Sequence, residues 1–230
     1  MEQSRIWDYF QNEGADSFLG ARPRLLYLAD LVAEGADVLD IGVGDGTFER
    51  IATARGLRVH VIDPDAKAVE RARTELGLGE RAKVGTGTAL PWPDESFDAV
   101  VVSEVLEHFD DATLRRTLTE ANRVLRLGGR LIGTVPADET LDEQRVVCPD
   151  CGRRFHRWGH EQSFSPQRLQ SFLNEALDAA EVRRRWFVAW NRLNWKGRLQ
   201  AAARKSLAVA GIWGSGHNLV FSAQKRTQSS

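Results

Sequence analysis

Short, nearly continuous apolar runs alternate along the chain with segments whose apolar residues recur at three- and four-residue spacing, the pattern of buried parallel strands joined by helices. Val38, Leu39 and Ile41 form the first run, residues 58–62 the second, residues 83–87 a third and Phe97–Ser103 the fourth, with a fifth at residues 130–135 stopped by Pro136. Between them the spacing predicts helices over Thr47–Ala54, residues 66–76 and residues 111–126, the last ended by Gly128 and Gly129. Ahead of the first strand, apolar residues broken at Gly14, Gly20 and Pro23 predict two short helices, the second starting near Pro23; both could cover the ligand edge as a lid or pack on the sheet. After Pro136 the pattern gives a helix over residues 165–180, a sixth strand over 182–190 and a final antiparallel strand over 218–223. The expected fold class is α/β, a doubly wound and mainly parallel sheet covered on both faces.

The bend after the first strand carries the first chemical signal. Gly42, Gly44 and Gly46 give G-x-G-x-G, not the G-x-G-x-x-G that suits a dinucleotide pyrophosphate. Asp40 sits at that strand's carboxyl end, where an anion repels phosphate and attracts an ammonium or sulfonium. In such sheets ligands lie outside the carboxyl ends of the strands. Residues 40–46, Asp63, residues 86–90 and residues 103–108 all fall there. Asp63, at the tip of the second strand, is placed to hold a ribose through its two hydroxyls, while Asp65 fits an N-cap of the next helix.

Composition is that of an ordinary globular protein, with 42% hydrophobic and 27% charged residues, and 230 residues can bury one substantial core. No stretch approaches the ~20 apolar residues of a membrane span, and the start lacks a signal-peptide layout, so the expected location is cytoplasmic. The net charge of −1 hides an asymmetry: residues 182–230 carry ten Lys or Arg and no acid. All 32 acidic residues and the other 21 basic ones precede them.

Taken together, residues 38–47 (Val-Leu-Asp-Ile-Gly-Val-Gly-Asp-Gly-Thr), Asp63, residues 89–98, the Ser103 to His108 stretch and residues 123–129 resemble the successive motifs of class I S-adenosylmethionine-dependent methyltransferases, in the branch of the ubiquinone and menaquinone enzymes. The resemblance covers residues 36–136 and implies a Rossmann-like seven-stranded sheet. It implies Asp40, Gly42 and Gly44 along the methionine half of the donor, Asp63 on the ribose, Thr88, Ala89 and Leu90 along the adenine, and Ser103 and Glu104 near the sulfonium. One departure is the order Gly85-Thr86-Gly87, which puts Thr86 where relatives often place an acid on the adenine amino group. Methyl transfer from a sulfonium needs alignment above all, and a base only for a protonated acceptor. His108 is the first candidate base, with a wall-positioning role for it and for Glu107 as the alternative.

Two further segments lie outside those motifs. Cys148 and Cys151, followed by His156 and His160, supply ligand types that tetrahedral zinc accepts. One reading is a zinc knuckle held by Cys148, Cys151 and His156; the other is two free thiols in a loop whose His160 faces the acceptor. Residues 191–216 form an insertion with basic residues, leucines and, in or beside it, Trp186, Trp190, Trp195 and Trp213; this suits an anionic membrane surface through residues 183–213, a lipid-linked substrate, or a homodimer contact.

The expected organisation is an N-terminal helical cap (1–35), a donor-binding core (36–136), a Cys/His loop (137–164) and a C-terminal part of the sheet with its insertion (165–226). The expected function is methyl transfer from S-adenosylmethionine to a small or lipid-linked acceptor, at oxygen. The alternatives are a nicotinamide oxidoreductase, a non-catalytic zinc-bearing binding protein, or a nucleic-acid methyltransferase; no nucleic-acid partner is expected, since no binding module for one is present in the pattern.

Overall fold

The computed structural model describes residues 3–13, 18, 20–212 and 216–225. Helices α1 (Gln3–Asn12) and α2 (Arg22–Asp30) lead into β1 (Asp37–Ile41), α3 (Thr47–Ala54), β2 (Arg58–Asp63), α4 (Ala66–Thr74), β3 (Ala82–Val84), β4 (Phe97–Ser103), α5 (Asp111–Val124) and β5 (Leu125–Pro136). A small hairpin of β6 (Arg145–Val147) and β7 (Arg154–His156) follows, then α6 (Pro166–Ala176), β8 (Asp178–Arg185), α7 (Trp195–Val209) and β9 (Asn218–Gln224).

The main sheet has seven strands in the order β3-β2-β1-β4-β5-β9-β8. The first five run parallel, and β9 is antiparallel to both β5 and β8. Both faces are covered because the central strands are apolar on both sides: Val38, Leu39, Val100 and Val101 are fully buried. One core, with Leu39, Leu118 and Phe172, lies under α5 and α6; the other, with Val38, Ile51 and Val69, lies under α2, α3 and α4. The chain order reverses beside β1, between β1 and β4, which is where doubly wound sheets open a ligand crevice.

Several boundaries differ from the sequence pattern for identifiable reasons. α5 stops at Val124, ahead of the glycines, because the chain turns directly into β5 and Gly128, at φ +79°, forms a bend in the irregular start of that strand. α6 ends at Ala176, and β8 occupies Asp178–Arg185 where a strand was expected at 182–190. There Ala179 takes φ +49° and the register with β9 shifts between Asp178 and Glu181. The apolar run Trp186 to Trp190 leaves the sheet, and Phe187 instead packs against Tyr27 with ring centroids 5.7 Å apart.

In the insertion, α7 keeps only Ala201 buried, and Trp195, Leu199 and Val209 stay exposed. Part of the basic C-terminal charge is paired, Arg184 with Asp138 at 2.6 Å and Lys225 with Glu95 at 3.3 Å. Gly14, Trp213 and Arg226, used in the sequence pattern, lie outside the described residues. No helix among the described residues is long and apolar enough to cross a membrane.

Candidate active site

The bend after β1 is built from backbone that side chains would obstruct. Gly42 has φ +100°, and a Cβ there would stand 2.8 Å from Val105 Cγ2. Gly46, at φ +76°, precedes α3, whose first amide, that of Thr47, donates to Asp45 Oδ1 at 3.0 Å. Of the two acids at the end of β2, Asp65 is the one that caps the next helix, as its position suggested. Asp65 caps α4 by accepting from the amides of Lys67 (2.7 Å) and Ala68 (3.3 Å). Asp63 is buried and accepts from the amides of Val43 (2.9 Å) and Asp65 (2.8 Å), which fixes its carboxylate between the glycine bend and the α4 turn.

Burial pushes the Asp63 carboxyl up from its ordinary value, against the pull of those amides. Asp40 is buried beside Glu49, and burial first and the Glu49 charge second hold Asp40 well above the usual carboxylate range. Glu49, wholly buried in α3, is pushed up to about 8, chiefly by burial. Three acids thus crowd the tips of β1 and β2, an arrangement that a positively charged ligand relieves.

Asp40, Asp63 and the glycine bend line a cavity of about 950 Å³. Asp40, Gly42, Gly44, Asp63, Thr86, Thr88, Ser103 and Glu104 all reach its wall. Ser103 Oγ and Thr134 Oγ1 lie 3.0 Å apart, and Arg24 Nε donates to Ser103 at 3.2 Å. Glu104, at φ +57°, accepts from Asn218 Nδ2 at 3.1 and 3.2 Å. The hydroxyls of Thr86 and Thr88 are 2.9 Å apart. Ala89 and Leu90, by contrast, do not reach the wall: Leu90 is buried in the core and its amide donates to Glu120 Oε2 at 2.8 Å.

Helix α1 closes over the opening. Gln11 Nε2 donates to Asp63 Oδ2 at 3.1 Å, and Trp7 Nε1 lies 3.3 Å from His108 Nδ1, which also faces the Gly159 carbonyl at 3.1 Å; a proton on Nδ1 toward that carbonyl leaves Nε2 as the nitrogen with the lone pair. Those two α1 residues are about one helical turn apart, so the Asp63 carboxylate and His108 are bridged by a rise of only ~6 Å.

On the far side of that bridge the imidazoles gather. His160 packs edge-on against His108 (centroids 4.8 Å apart) and stacks on His156 (4.6 Å), and its Nδ1 lies 2.5 Å from Glu139 Oε2. Burial first and His160 second push His108 down to about 4, so it is neutral near pH 7 and a weak proton acceptor. Burial, with the Glu104 charge behind it, pushes Glu107 well up.

The cysteines lie elsewhere, which corrects the grouping of Cys148 and Cys151 with His156. Arg145 pairs with His156 and Val147 with Arg154, so His156 stands three residues along β6 from Cys148, roughly 10 Å at strand rise. His156 is buried with Nδ1 facing the amides of Trp158 (3.4 Å) and His160 (3.1 Å), whereas Cys151 is exposed in the hairpin turn. Among the described residues, the groups of three or more close ligand atoms are Glu107, His108 and His160, and Glu139, His156 and His160, neither with a sulfur. Amide donors from Cys151 and Asp150 nonetheless lower the Cys148 thiol from its ordinary value. Trp7, Gln11, Arg24, Glu49 and Glu139 had no signal in the sequence pattern, since each reaches the site from an element outside its motifs or from a helix face that reads as core.

A model of the methyltransferase domain matches residues 39–133, from within β1 to within β5. A demethylmenaquinone methyltransferase of Thermobifida fusca is 30% identical over 179 residues, 70% of this chain and 72% of that protein. The chain belongs to the class I S-adenosylmethionine-dependent methyltransferases. A 27-O-demethylrifamycin SV methyltransferase of Amycolatopsis mediterranei is 39% identical over 124 residues, 49% of this chain and 45% of that protein. The chain spans about two fifths of the length of the curated relatives it matches at 38% identity over 101 residues. In fold it is similar to the 1,6-didemethyltoxoflavin-N1-methyltransferase of Burkholderia thailandensis, solved with 1,6-didemethyltoxoflavin and S-adenosylhomocysteine, at a TM-score of 0.66 and 18% identity over 98% of this chain and 87% of that one.

Proposed function

We propose that this methyltransferase binds S-adenosylmethionine at the β1, β2 and β4 tips and transfers its methyl group in line to a small-molecule acceptor at oxygen. The observation that carries the reading is the convergence of the positive-φ glycine bend, the amide-fixed Asp63 and the buried Asp40 on one cavity. Asp63 takes the ribose hydroxyls, with Gln11 giving up its bond as the donor enters. Asp40 and Glu49 favour the cationic donor, and Ser103 and Glu104 flank the sulfonium. The adenine lies along Thr86 and Thr88. The cavity's size and its mixture of apolar rings and acids suit a ring-bearing acceptor beside the donor. Curated relatives and fold neighbours named for menaquinone, rifamycin and toxoflavin substrates support that acceptor class.

His108 and His160 sit on the acceptor side as the groups that orient the hydroxyl. The exposed Trp195, Leu199 and Leu207 on α7, beside Lys196 and Arg204, support a lipid-linked acceptor as the finer reading. Calorimetric titration with S-adenosylhomocysteine tests the donor site: wild type binds one equivalent, and equal binding by Asp63→Ala would remove the ribose assignment. Failure of the folded wild type to bind it would end the reading.

A further inference from the structure

Glu107 is only 1% exposed, yet neither of its carboxylate oxygens has a hydrogen-bond partner, and its side chain reaches the cavity wall. Ionising a carboxyl in that condition costs several kcal/mol unless something positive meets it. Around it lie two groups of mutually close ligand atoms, Glu107 with His108 and His160, and Glu139 with His156 and His160, each within 4.8 Å. His156 Nε2 is likewise buried without a hydrogen-bond partner, 3.5 Å from Glu139 Oε1.

The geometry points to a divalent transition-metal site formed by Glu107, His108 and His160, with Glu139 behind it, facing the acceptor end of the cavity. His160 has the arrangement that metal-bound imidazoles use: one ring nitrogen against a carboxylate, here Nδ1 on Glu139 Oε2 at 2.5 Å, leaving the other for the ion. Two imidazoles and a carboxylate suit Zn²⁺ or Mn²⁺ and leave coordination positions open. The site is held in place by the backbone, because the Glu107 carbonyl accepts the amides of Glu161 (2.9 Å) and Gln162 (3.2 Å) and so clamps the His160 segment onto the loop that carries Glu107 and His108. Trp7 and Gln11, about one turn apart on α1, join the site to Asp63.

The ion's part in catalysis rests on the methyl-transfer reading; its binding does not. A hydroxyl of the acceptor entering an open position loses its proton to water at the cavity mouth, because the ion lowers its pKa. An oxygen lone pair then forms the C–O bond to the methyl carbon as the C–S bond breaks, its electron pair staying on sulfur to leave neutral S-adenosylhomocysteine.

Metal-stripped protein titrated with MnCl₂ and followed by electron paramagnetic resonance, then competed with ZnCl₂, is expected to bind one ion per chain. Glu107→Gln and His160→Gln should each weaken binding at least ~10-fold, and Glu139→Gln by about as much, while the Cys148→Ser/Cys151→Ser double variant binds as wild type. Binding of S-adenosylhomocysteine, measured in parallel, reports that each variant is folded. No Mn²⁺ binding by protein that still binds S-adenosylhomocysteine overturns the metal site and leaves the function standing. Binding lost only in the cysteine variant also overturns it, and Mn²⁺ binding without S-adenosylhomocysteine binding supports the site while ending the methyl-transfer reading.

Discussion

The two sides of the cavity are built on opposite plans. On the donor side, Asp63 has each carboxylate oxygen on a backbone amide, and the residues that matter come from neighbouring strand tips. On the acceptor side, Glu107 and His156 keep buried atoms without hydrogen-bond partners, and the contributing residues come from α1, the loop after β4, and the segment around the β6/β7 hairpin. Glu49, beneath the donor, also keeps both buried oxygens without hydrogen-bond partners, so the contrast lies between the amide-fixed Asp63 and the unmet Glu107 more than between two uniform halves. Fixed dipoles suit a donor that is always the same molecule, whereas unmet groups suit a site completed by an ion or an acceptor.

The largest test of that contrast is Asp63→Ala. Loss of the ribose bonds and of the acceptor for two buried amides should lower S-adenosylhomocysteine affinity at least ~100-fold by titration calorimetry, charged hydrogen bonds being worth about 1.5–3 kcal/mol each. A drop of under tenfold would mean that the donor side is not held by this carboxylate. Next is Gly42→Ala: with φ +100° and Val105 Cγ2 at 2.8 Å, denaturant unfolding should show a loss of roughly 1–3 kcal/mol. Adding Val105→Ala should recover only the steric part, since the backbone strain remains.

Glu49→Gln probes the acids under the donor. The folded protein keeps Glu49 protonated up to about 8 while the unfolded chain releases that proton near 4.5, so folding takes up a proton between these values. The contribution of Glu49 to stability is therefore fullest below about 4.5 and is lost as pH rises from there to about 8, with a slope approaching ~1.4 kcal/mol per pH unit. The variant should flatten that slope in thermal unfolding followed across pH, and an unchanged slope would remove Glu49 from the account. The smallest expected effect is Trp7→Phe, which removes the indole N–H facing His108 and shrinks the ring packed edge-on against it at 5.2 Å. Acceptor KM should rise a few-fold, about 0.5–1.5 kcal/mol, with donor affinity unchanged; an equal fall in donor affinity would show that α1 does not distinguish the two sides.

The same contrast explains what the sequence made legible. Val38 to Gly46 states strand, bend and acid within nine residues, so β1, the turn and α3 could be read from local pattern, as could β4. Asp63 and Asp65 could be told apart because capping depends on distance from the helix start. The acceptor side has no such locality: Trp7, Glu139 and His160 meet only through tertiary packing, and the Cys148, Cys151 and His156 spacing misled because strand register, invisible in a count of intervening residues, separates thiols from imidazole. The start of β8 was hidden for a related reason. Its residues 181–185 are largely charged, as an exposed edge requires, while the apolar run that resembled a strand leaves the sheet.

That edge belongs to a sheet whose assembly order is constrained by β9. Residues 218–224 slot between β5 and β8, two strands made earlier, so the outer rim of β5 has no neighbour until residue 224 has been synthesised. A nascent chain halted before that point would carry an open strand flank able to recruit foreign peptide, which makes the protein's solubility during translation dependent on its last strand arriving.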